Sequence, residues 1–148
     1  MIISFDIDNT LIPYSKEFEI EHKSILARII GAEGIRKGTI ELFKKLENRG
    51  HHIWIYTTSY RSVISLKKTF FAYGLRPRKI INQKINLQKL KANNSYVSKN
   101  PKLFGIDVHI DDAPGVKMEG DRNNFRVIII APSELNWVDR VMTELESS

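Results

Sequence analysis

Acidic and hydroxyl side chains follow three short apolar runs in this sequence. Asp6 and Asp8 follow the first run, Thr57 follows the second, and the pair Asp111 and Asp112 follows the third. Two carboxylates about 4 Å apart repel each other by about 4 kcal/mol at an effective dielectric constant near 20. Four clustered carboxylates would need a cation, and Mg²⁺ fits better than zinc because no His or Cys belongs to the group.

Such a cation beside lysine and hydroxyl donors would be a good receptor for a phosphoryl group. Lys99 and Lys102 lie just upstream of the third run and could supply the lysine. One carboxylate could attack phosphorus covalently while a second gives a proton to the leaving oxygen. The residue types therefore predict phosphoryl chemistry.

The elements that must position these residues alternate between strand and helix. Short apolar runs predict strands at residues 2–6, 53–56, 79–82, 106–110 and 125–131. Apolar residues at helical spacing predict helices at 39–49 and 60–73, a last helix capped by Ser133, and a helix within 21–30. This alternation is typical of βα units with a parallel sheet, that is, a three-layer α/β sandwich. Ligands bind at the carboxyl ends of the strands in such sheets, so the residues above should share one edge.

Length and composition limit the class of protein. A chain of 148 residues with 42% apolar and 27% charged residues predicts one globular domain over residues 1–148. The absence of cysteine excludes a disulfide scaffold, a thiolate zinc site and a cysteine nucleophile. The longest apolar run, 127–131, is far shorter than the roughly 18 residues that span a bilayer, and the first residues lack a signal-peptide pattern. We expect a soluble cytoplasmic protein with no membrane partner.

Positive charge is concentrated in the middle of the chain. The net charge is +6, but residues 48–106 contain 12 basic residues and no acidic one. An imbalance of this size points to an anionic partner, although a solvated basic face would have the same composition. A nucleic-acid-binding module is therefore an alternative function, and its binding would weaken steeply with salt.

Taken together, the motifs resemble those of the haloacid dehalogenase-like (HAD) hydrolase superfamily. Residues 6–10, Asp-Ile-Asp-Asn-Thr, match its Asp-x-Asp-x-Thr motif, and residues 54–57, Trp-Ile-Tyr-Thr, resemble its second motif. Residues 108–112 resemble its fourth motif, an apolar strand that ends in paired acids. The third motif is a single lysine, for which Lys99 is the first choice and Lys102 the rival. All four motifs lie in the family's order and span nearly the whole chain.

The resemblance implies a Mg²⁺-dependent phosphatase that hydrolyses a phosphate monoester through an aspartyl-phosphate. Asp6 would be the nucleophile and a metal ligand. Asp8 would be the general acid and then the general base, with its backbone carbonyl on the metal. An acid at this position favours phosphoryl transfer, since the dehalogenases proper lack one there and use no metal.

The other motif residues would bind the phosphate and complete the metal site. Thr57 and Lys99 would hold the phosphoryl oxygens, and Thr58 is a rival to Thr57. Asp111 and Asp112 would be the remaining metal residues, and which of them touches the ion directly stays open.

The gaps between the motifs leave little room for a cap domain. Residues 11–38 can hold a flap and one helix, and residues 58–98 are largely used by a helix, a strand and a connection. The resemblance is therefore to the capless members, whose sites are open. We expect a large or polyanionic phosphorylated substrate, with basic residues on the rim of the site (Arg61, Lys84, Lys89 and Lys91). A HAD-like fold that binds phosphate or nucleic acid without turnover is the alternative.

Overall fold

A computed structural model describes residues 1–147 as alternating strands and helices. The strands are β1 (Ile2–Phe5), β2 (His52–Tyr56), β3 (Lys79–Ile81), β4 (Val108–Asp111) and β5 (Arg126–Ile129). The helices are α1 (Ile25–Ile29), α2 (Thr39–Asn48), α3 (Val63–Ala72), α4 (Gln83–Ala92), α5 (Pro114–Asn123) and α6 (Trp137–Glu146). A short 3₁₀ helix covers Pro101–Phe104. Among these residues, no helix is both long enough and apolar enough to cross a membrane.

The five strands form one parallel sheet in the order β3-β2-β1-β4-β5. The central strand is β1, where Phe5 pairs with Ile55 of β2 and with Ile110 of β4. Parallel strands need crossover connections, and helices supply most of them here. The predicted parallel α/β sandwich is confirmed.

Helices cover both faces of the sheet. On one face the main core includes Ile3 and Phe5 of β1 together with apolar residues of α2, α3 and α6. On the other face, smaller clusters form around Tyr56 and around Val127. Side chains alternate along a strand, so Ser4 faces away from the main core, and its Oγ lies 2.8 Å from His109 Nδ1. The second face of the sheet therefore carries buried polar groups, close to the edge at which the carboxyl ends of the strands meet.

Two helices appear where the sequence predicted none. Asn82 caps α4 by accepting a hydrogen bond from the Ile85 backbone N–H at 3.2 Å, and the helix buries only Asn86 and Leu90. In α5, only Val116 and Gly120 are buried. A Cβ on Gly120 would lie 2.7 Å from the Phe125 carbonyl oxygen, so glycine allows the helix to approach β5 closely. Both helices escaped prediction because so few apolar residues mark their inner faces.

The start of the last helix differs from the prediction. Ser133 is not its N-cap, because the helix begins at Trp137 and Asn136 occupies the cap position. The buried guanidinium of Arg36 explains the delay. Its Nη2 donates to three carbonyl oxygens, those of Ala131, Pro132 and Glu134, at 2.8–3.1 Å. Those bonds hold the chain in a turn before the helix can begin.

Two other predicted helices are shorter than expected. The helix predicted within 21–30 is only the five residues of α1, with Ser24 as its N-cap. The helix predicted at 60–73 begins at Val63, because the Ser62 side chain accepts a hydrogen bond from Ser65 N and caps it there. Arg61 consequently lies outside the helix, in the loop between β2 and α3.

Candidate active site

The carboxyl edge of the three central strands collects the predicted site residues. Asp6 directly follows β1, Thr57 directly follows β2, and Asp111 is the last residue of β4. The backbone N–H of Asp6 donates to the Ile110 carbonyl at 2.8 Å, which fixes the ends of β1 and β4 side by side. The strand order therefore brings together residues that lie about 50 and 100 positions apart in sequence.

A buried lysine joins two of the acids. Lys99 Nζ lies 2.6 Å from Asp6 Oδ1 and 2.6 Å from Asp111 Oδ2. The exposed fractions of the three side chains are 4%, 7% and 2%. Lys102 is exposed on the 3₁₀ helix and makes no ion pair among residues 1–147. The structure thus brings Lys99, and not Lys102, to the acids.

Burial and charge act in opposite directions in this triad. Burial raises the pKa of Asp6, and the nearby charge of Asp111 adds to this, although Lys99 lowers it. Burial also opposes ionisation of Asp111, but the hydrogen bond from His109 and the charge of Lys99 hold the pKa of Asp111 well below its ordinary value. The two carboxylates raise the pKa of Lys99 in spite of its burial. Lys99 is therefore positively charged at neutral pH.

His109, which the sequence analysis did not assign to the site, lies directly beneath this triad. It is fully buried, with Nε2 at 3.0 Å from Asp111 Oδ2 and 3.3 Å from Lys99 Nζ. Burial lowers the pKa of His109, so the imidazole is neutral and can donate from one nitrogen to the Asp111 carboxylate while accepting from Ser4 at the other. The sequence feature that could have identified His109 is a single histidine within an otherwise apolar strand.

Three carboxylates form a cluster that could hold a cation. One oxygen from each of Asp6, Asp111 and Asp112 lies within 4.8 Å of the others. Three carboxylates and one lysine leave two negative charges, which a divalent ion would balance, and oxygen is the donor that Mg²⁺ prefers. The residues therefore fit the predicted magnesium ion.

The oxygens of the paired acids are not equally available to a metal. Asp111 Oδ1 accepts from Ala113 N at 2.9 Å, and its Oδ2 accepts from Lys99 and His109. Asp112 Oδ1 accepts from Thr10 Oγ1 at the longer distance of 3.3 Å, and burial followed by the charge of Asp111 raises the pKa of Asp112. Asp112 is therefore better placed than Asp111 to give an oxygen directly to the ion.

The carboxylate of Asp8 lies outside this cluster. Its Oδ1 accepts a hydrogen bond from Arg61 Nη1 at 2.8 Å, and the same guanidinium pairs with Glu33. Arg61 was expected near the site, but Glu33 was not. The Asp8 carboxylate thus points to the loops that border the site.

Thr57 is buried at the base of the site, whereas Thr58 is exposed. Thr57 Oγ1 accepts from the Ser59 backbone N–H at 3.0 Å, and its hydroxyl can in addition donate one hydrogen bond. Of the two neighbouring threonines, Thr57 has its hydroxyl oriented by the fold.

Three basic residues expected on the rim are distributed along α4, and all three are exposed. Lys84 lies in the first turn, next to the carboxyl end of β3. Lys89 and Lys91 lie near the other end of the helix, and Lys91 is about 12 Å along the axis from the first residue at 1.5 Å per residue. The structure places Lys84 toward the site edge and the other two away from it.

Comparison with known proteins gives a likeness in fold. No model of a known protein family matches this sequence, and no curated protein matches it. A solved structure described as that of "a predicted HAD-like family hydrolase from Porphyromonas gingivalis" superposes with a TM-score of 0.50 and 15% sequence identity. The match covers 99% of this chain and 98% of that one. The chain therefore has a HAD-like, Rossmann-type fold.

Proposed function

We propose that this protein is a Mg²⁺-dependent phosphatase that cleaves phosphate monoesters through an aspartyl-phosphate on Asp6. One observation carries the proposal: Lys99 Nζ lies 2.6 Å from both Asp6 and Asp111 at the carboxyl edge of the central strands. A buried cation between two carboxylates at this edge is suited to receive a phosphoryl group. The HAD-like fold supports the assignment to hydrolases.

The proposed reaction has two steps. An oxygen of the Asp6 carboxylate attacks phosphorus, the bond to the leaving oxygen breaks, and Asp8 gives its proton to that oxygen. Water then attacks the phosphorus, Asp8 takes the proton from it, and the bond to Asp6 breaks to release inorganic phosphate. The first step uses the proton of Asp8 and forms a bond to Asp6. The second step restores that proton and breaks that bond, so the protein ends unchanged.

The remaining residues would hold the phosphoryl group and balance charge. Lys99 and Thr57 would donate to the phosphoryl oxygens, and Asp6 and Asp112 would hold Mg²⁺ together with the backbone carbonyl of Asp8. The bound ion would supply electrostatic stabilisation of the phosphoryl oxygens. His109 would keep Lys99 and Asp111 in place from below.

The short segment between β1 and α2 bears on the substrate. Residues 6–38 contain one helix of five residues and two isolated bridges, so no separate domain covers Asp6 and Asp8 in that stretch. We therefore propose a substrate large enough to exclude water from the site, with the exposed Lys84 as a nearby cation. As the sequence suggested, we propose that the enzyme is cytoplasmic.

Replacement of the two aspartates of the first motif tests the proposal. With Mg²⁺ and p-nitrophenyl phosphate, Asp6→Asn should abolish turnover, and Asp8→Asn should slow it by about 10²–10⁴-fold, the usual contribution of a general acid or base. Acid quenching followed by mass spectrometry should find phosphate on Asp6 in the Asp8→Asn variant.

Arg140→Ala is a suitable control, because Arg140 is an exposed residue of α6 that pairs with Glu134 and Glu144 rather than with a proposed site residue. Its turnover should match that of the wild type. Normal turnover by Asp6→Asn would refute the proposal. Salt-sensitive binding of nucleic acid by a wild type that hydrolyses no phosphate ester would instead support the binding module.

A further inference from the structure

Arg61 joins three separate loops beside the proposed site. Its Nε and Nη2 donate to the two carboxylate oxygens of Glu33 at 2.8 and 2.9 Å, a bidentate pair. Its Nη1 donates to Asp8 Oδ1 at 2.8 Å and to Ser59 Oγ at 2.9 Å. The guanidinium therefore connects the loop after β1, the loop after β2 and the segment before α2.

Glu33 is itself fixed to α3 through its backbone. Its N–H donates to Thr69 Oγ1 at 3.3 Å, and its carbonyl oxygen accepts from the Tyr73 hydroxyl at 2.8 Å. Thr69 is buried within α3. A carboxylate on so well-anchored a backbone can set the orientation of its partner, rather than follow it.

Arg61 is anchored in a similar way. Its backbone N–H donates to Ser59 Oγ at 3.2 Å, and its carbonyl oxygen accepts from Asn82 Nδ2 at 3.1 Å. Asn82 is also the N-cap of α4. Both ends of the Arg61–Glu33 pair are thus attached to helices that pack on the sheet.

The hydrogen bonds of Arg61 indicate positioning rather than substrate binding. Of its five N–H groups, four already donate to Glu33, Asp8 and Ser59. Its side chain is 26% exposed, compared with 20% for Asp8 and 35% for Glu33. Without this bond, the Asp8 carboxylate would be free to rotate toward a cation held by Asp6, two residues away.

We propose that Arg61 and Glu33 are positioning residues that hold the Asp8 carboxylate toward the leaving group of the substrate. The segment between β1 and α2 contributes to catalysis in this way, through Glu33. This inference rests on the proposed function, in which Asp8 gives the proton to the leaving oxygen.

Substrates that differ in their need for that proton provide the test. The leaving group of p-nitrophenyl phosphate is a stabilised anion that departs without a proton, whereas glycerol 2-phosphate releases an alkoxide that needs one. The ratio kcat/KM reports the steps up to loss of the leaving group. Arg61→Ala should lower kcat/KM for glycerol 2-phosphate about 10–100-fold, the effect of misplacing a catalytic group by about 1 Å. The value for p-nitrophenyl phosphate should change by less than about threefold.

Further variants separate positioning from folding. Glu33→Gln keeps the shape of the side chain but loses its charge, so we expect the same preference in a weaker form. Arg61→Lys should not restore activity, because one ammonium cannot make the bidentate pair and also reach Asp8. Arg140→Ala, which removes another arginine that pairs with two acidic side chains, should leave kcat/KM for both substrates unchanged.

Asp8→Asn separates this inference from the proposed function. A loss of kcat/KM confined to the alkyl phosphate in Asp8→Asn, but absent from Arg61→Ala and Glu33→Gln, would overturn the positioning role alone. An equal loss on both substrates in Arg61→Ala would overturn it too, and so would a crystal structure of that variant with an unmoved Asp8 carboxylate. If the wild-type protein hydrolysed neither ester, the proposed function itself would be refuted, before any question of positioning.

Discussion

Two triads, each with one cation between two carboxylates, lie at the same edge of the sheet but differ in exposure. In the first, Lys99 pairs with Asp6 and Asp111, and no side chain is more than 7% exposed. In the second, Arg61 pairs with Asp8 and Glu33, and the exposed fractions are 20–35%. In the buried triad both carboxylates lie at strand ends and Lys99 lies just before the 3₁₀ helix, whereas the more exposed triad is built on loops.

The difference in exposure determines how much each triad contributes to the stability of the fold. Charges taken out of water depend on each other, so loss of one partner leaves an uncompensated buried charge. Charges that keep contact with water contribute less to stability, because solvent screens them and can replace a lost partner. The buried triad is thus suited to hold fixed charge for phosphorus and metal, and the exposed triad to hold a carboxylate that must exchange protons with substrate and water.

Removal of the buried cation should have the largest effect on stability. Lys99→Met leaves Asp6 and Asp111 without their ammonium, and breaking a buried pair in this way costs about 3–5 kcal/mol. The melting temperature should fall by about 6–20 °C at neutral pH without Mg²⁺, at about 2–4 °C per kcal/mol for a chain of this size. A melting temperature equal to that of the wild type would show that the two triads do not differ in this respect.

Addition of Mg²⁺ should have the next largest effect on stability, and it should distinguish the two triads. At 100 times its dissociation constant the ion should stabilise the fold by about 2.7 kcal/mol, or about 5–11 °C. Asp112→Asn, and Asp111→Asn combined with it, should remove this shift, whereas Arg61→Ala should keep it. A melting curve unchanged by Mg²⁺ up to tens of millimolar would contradict the metal site.

Acidification should stabilise the metal-free protein through Asp6 and Asp112. Burial raises the pKa of both carboxyls above the ordinary 3.8, so the folded state binds protons more tightly than the unfolded state. The stabilisation from this tighter proton binding is fully present below pH 3.8, and it is lost as the pH rises through the raised pKa values.

The difference in free energy of unfolding between wild type and Asp6→Asn should therefore grow as the pH rises above 3.8, in favour of the variant. Urea titrations in the presence of a chelator can follow it. The same difference should shrink when Mg²⁺ balances the carboxylates. Parallel pH profiles of the two proteins would contradict the raised pKa of Asp6.

Removal of the exposed cation should have the smallest effect on stability. Arg61→Ala should cost about 1 kcal/mol or less, because solvent screens side chains with this degree of exposure. Lys117→Ala, which breaks an exposed pair with Asp121 on α5, is a reference and should cost about 0.5 kcal/mol or less. A loss from Arg61→Ala as large as that from Lys99→Met would contradict the comparison.

Much of the fold could be predicted from the sequence because its strands carry strong local signals. The runs that end at Asp6, Thr57 and Asp111 are short and apolar, and each ends on a polar residue. Parallel pairing of such strands requires their carboxyl ends to meet, so the positions of these three residues followed from the fold class. The weakly amphipathic α4 and α5 lacked such signals and were not predicted.

The exposed triad could not be predicted, because it depends on contacts that no local pattern encodes. Glu33 and Arg61 are 28 positions apart, and Arg61 was predicted to lie in a helix rather than in the loop before it. The pair forms only because the packed helices bring the two segments together. His109 was hidden for a different reason, since a single polar residue in an apolar strand does not reveal whether it faces a site or a core. Arg36 likewise set the start of α6 from about 100 positions away.

The central place of β1 in the sheet has a consequence for biosynthesis. This strand leaves the ribosome before both of its neighbours, which begin at His52 and Val108. One edge of an apolar strand must therefore wait until most of the 148 residues have been made. Parallel strands with such distant partners pair slowly, and open strand edges promote aggregation in incomplete chains. Chains truncated before β4 should accordingly be insoluble, and the nascent protein should depend on protection of that edge.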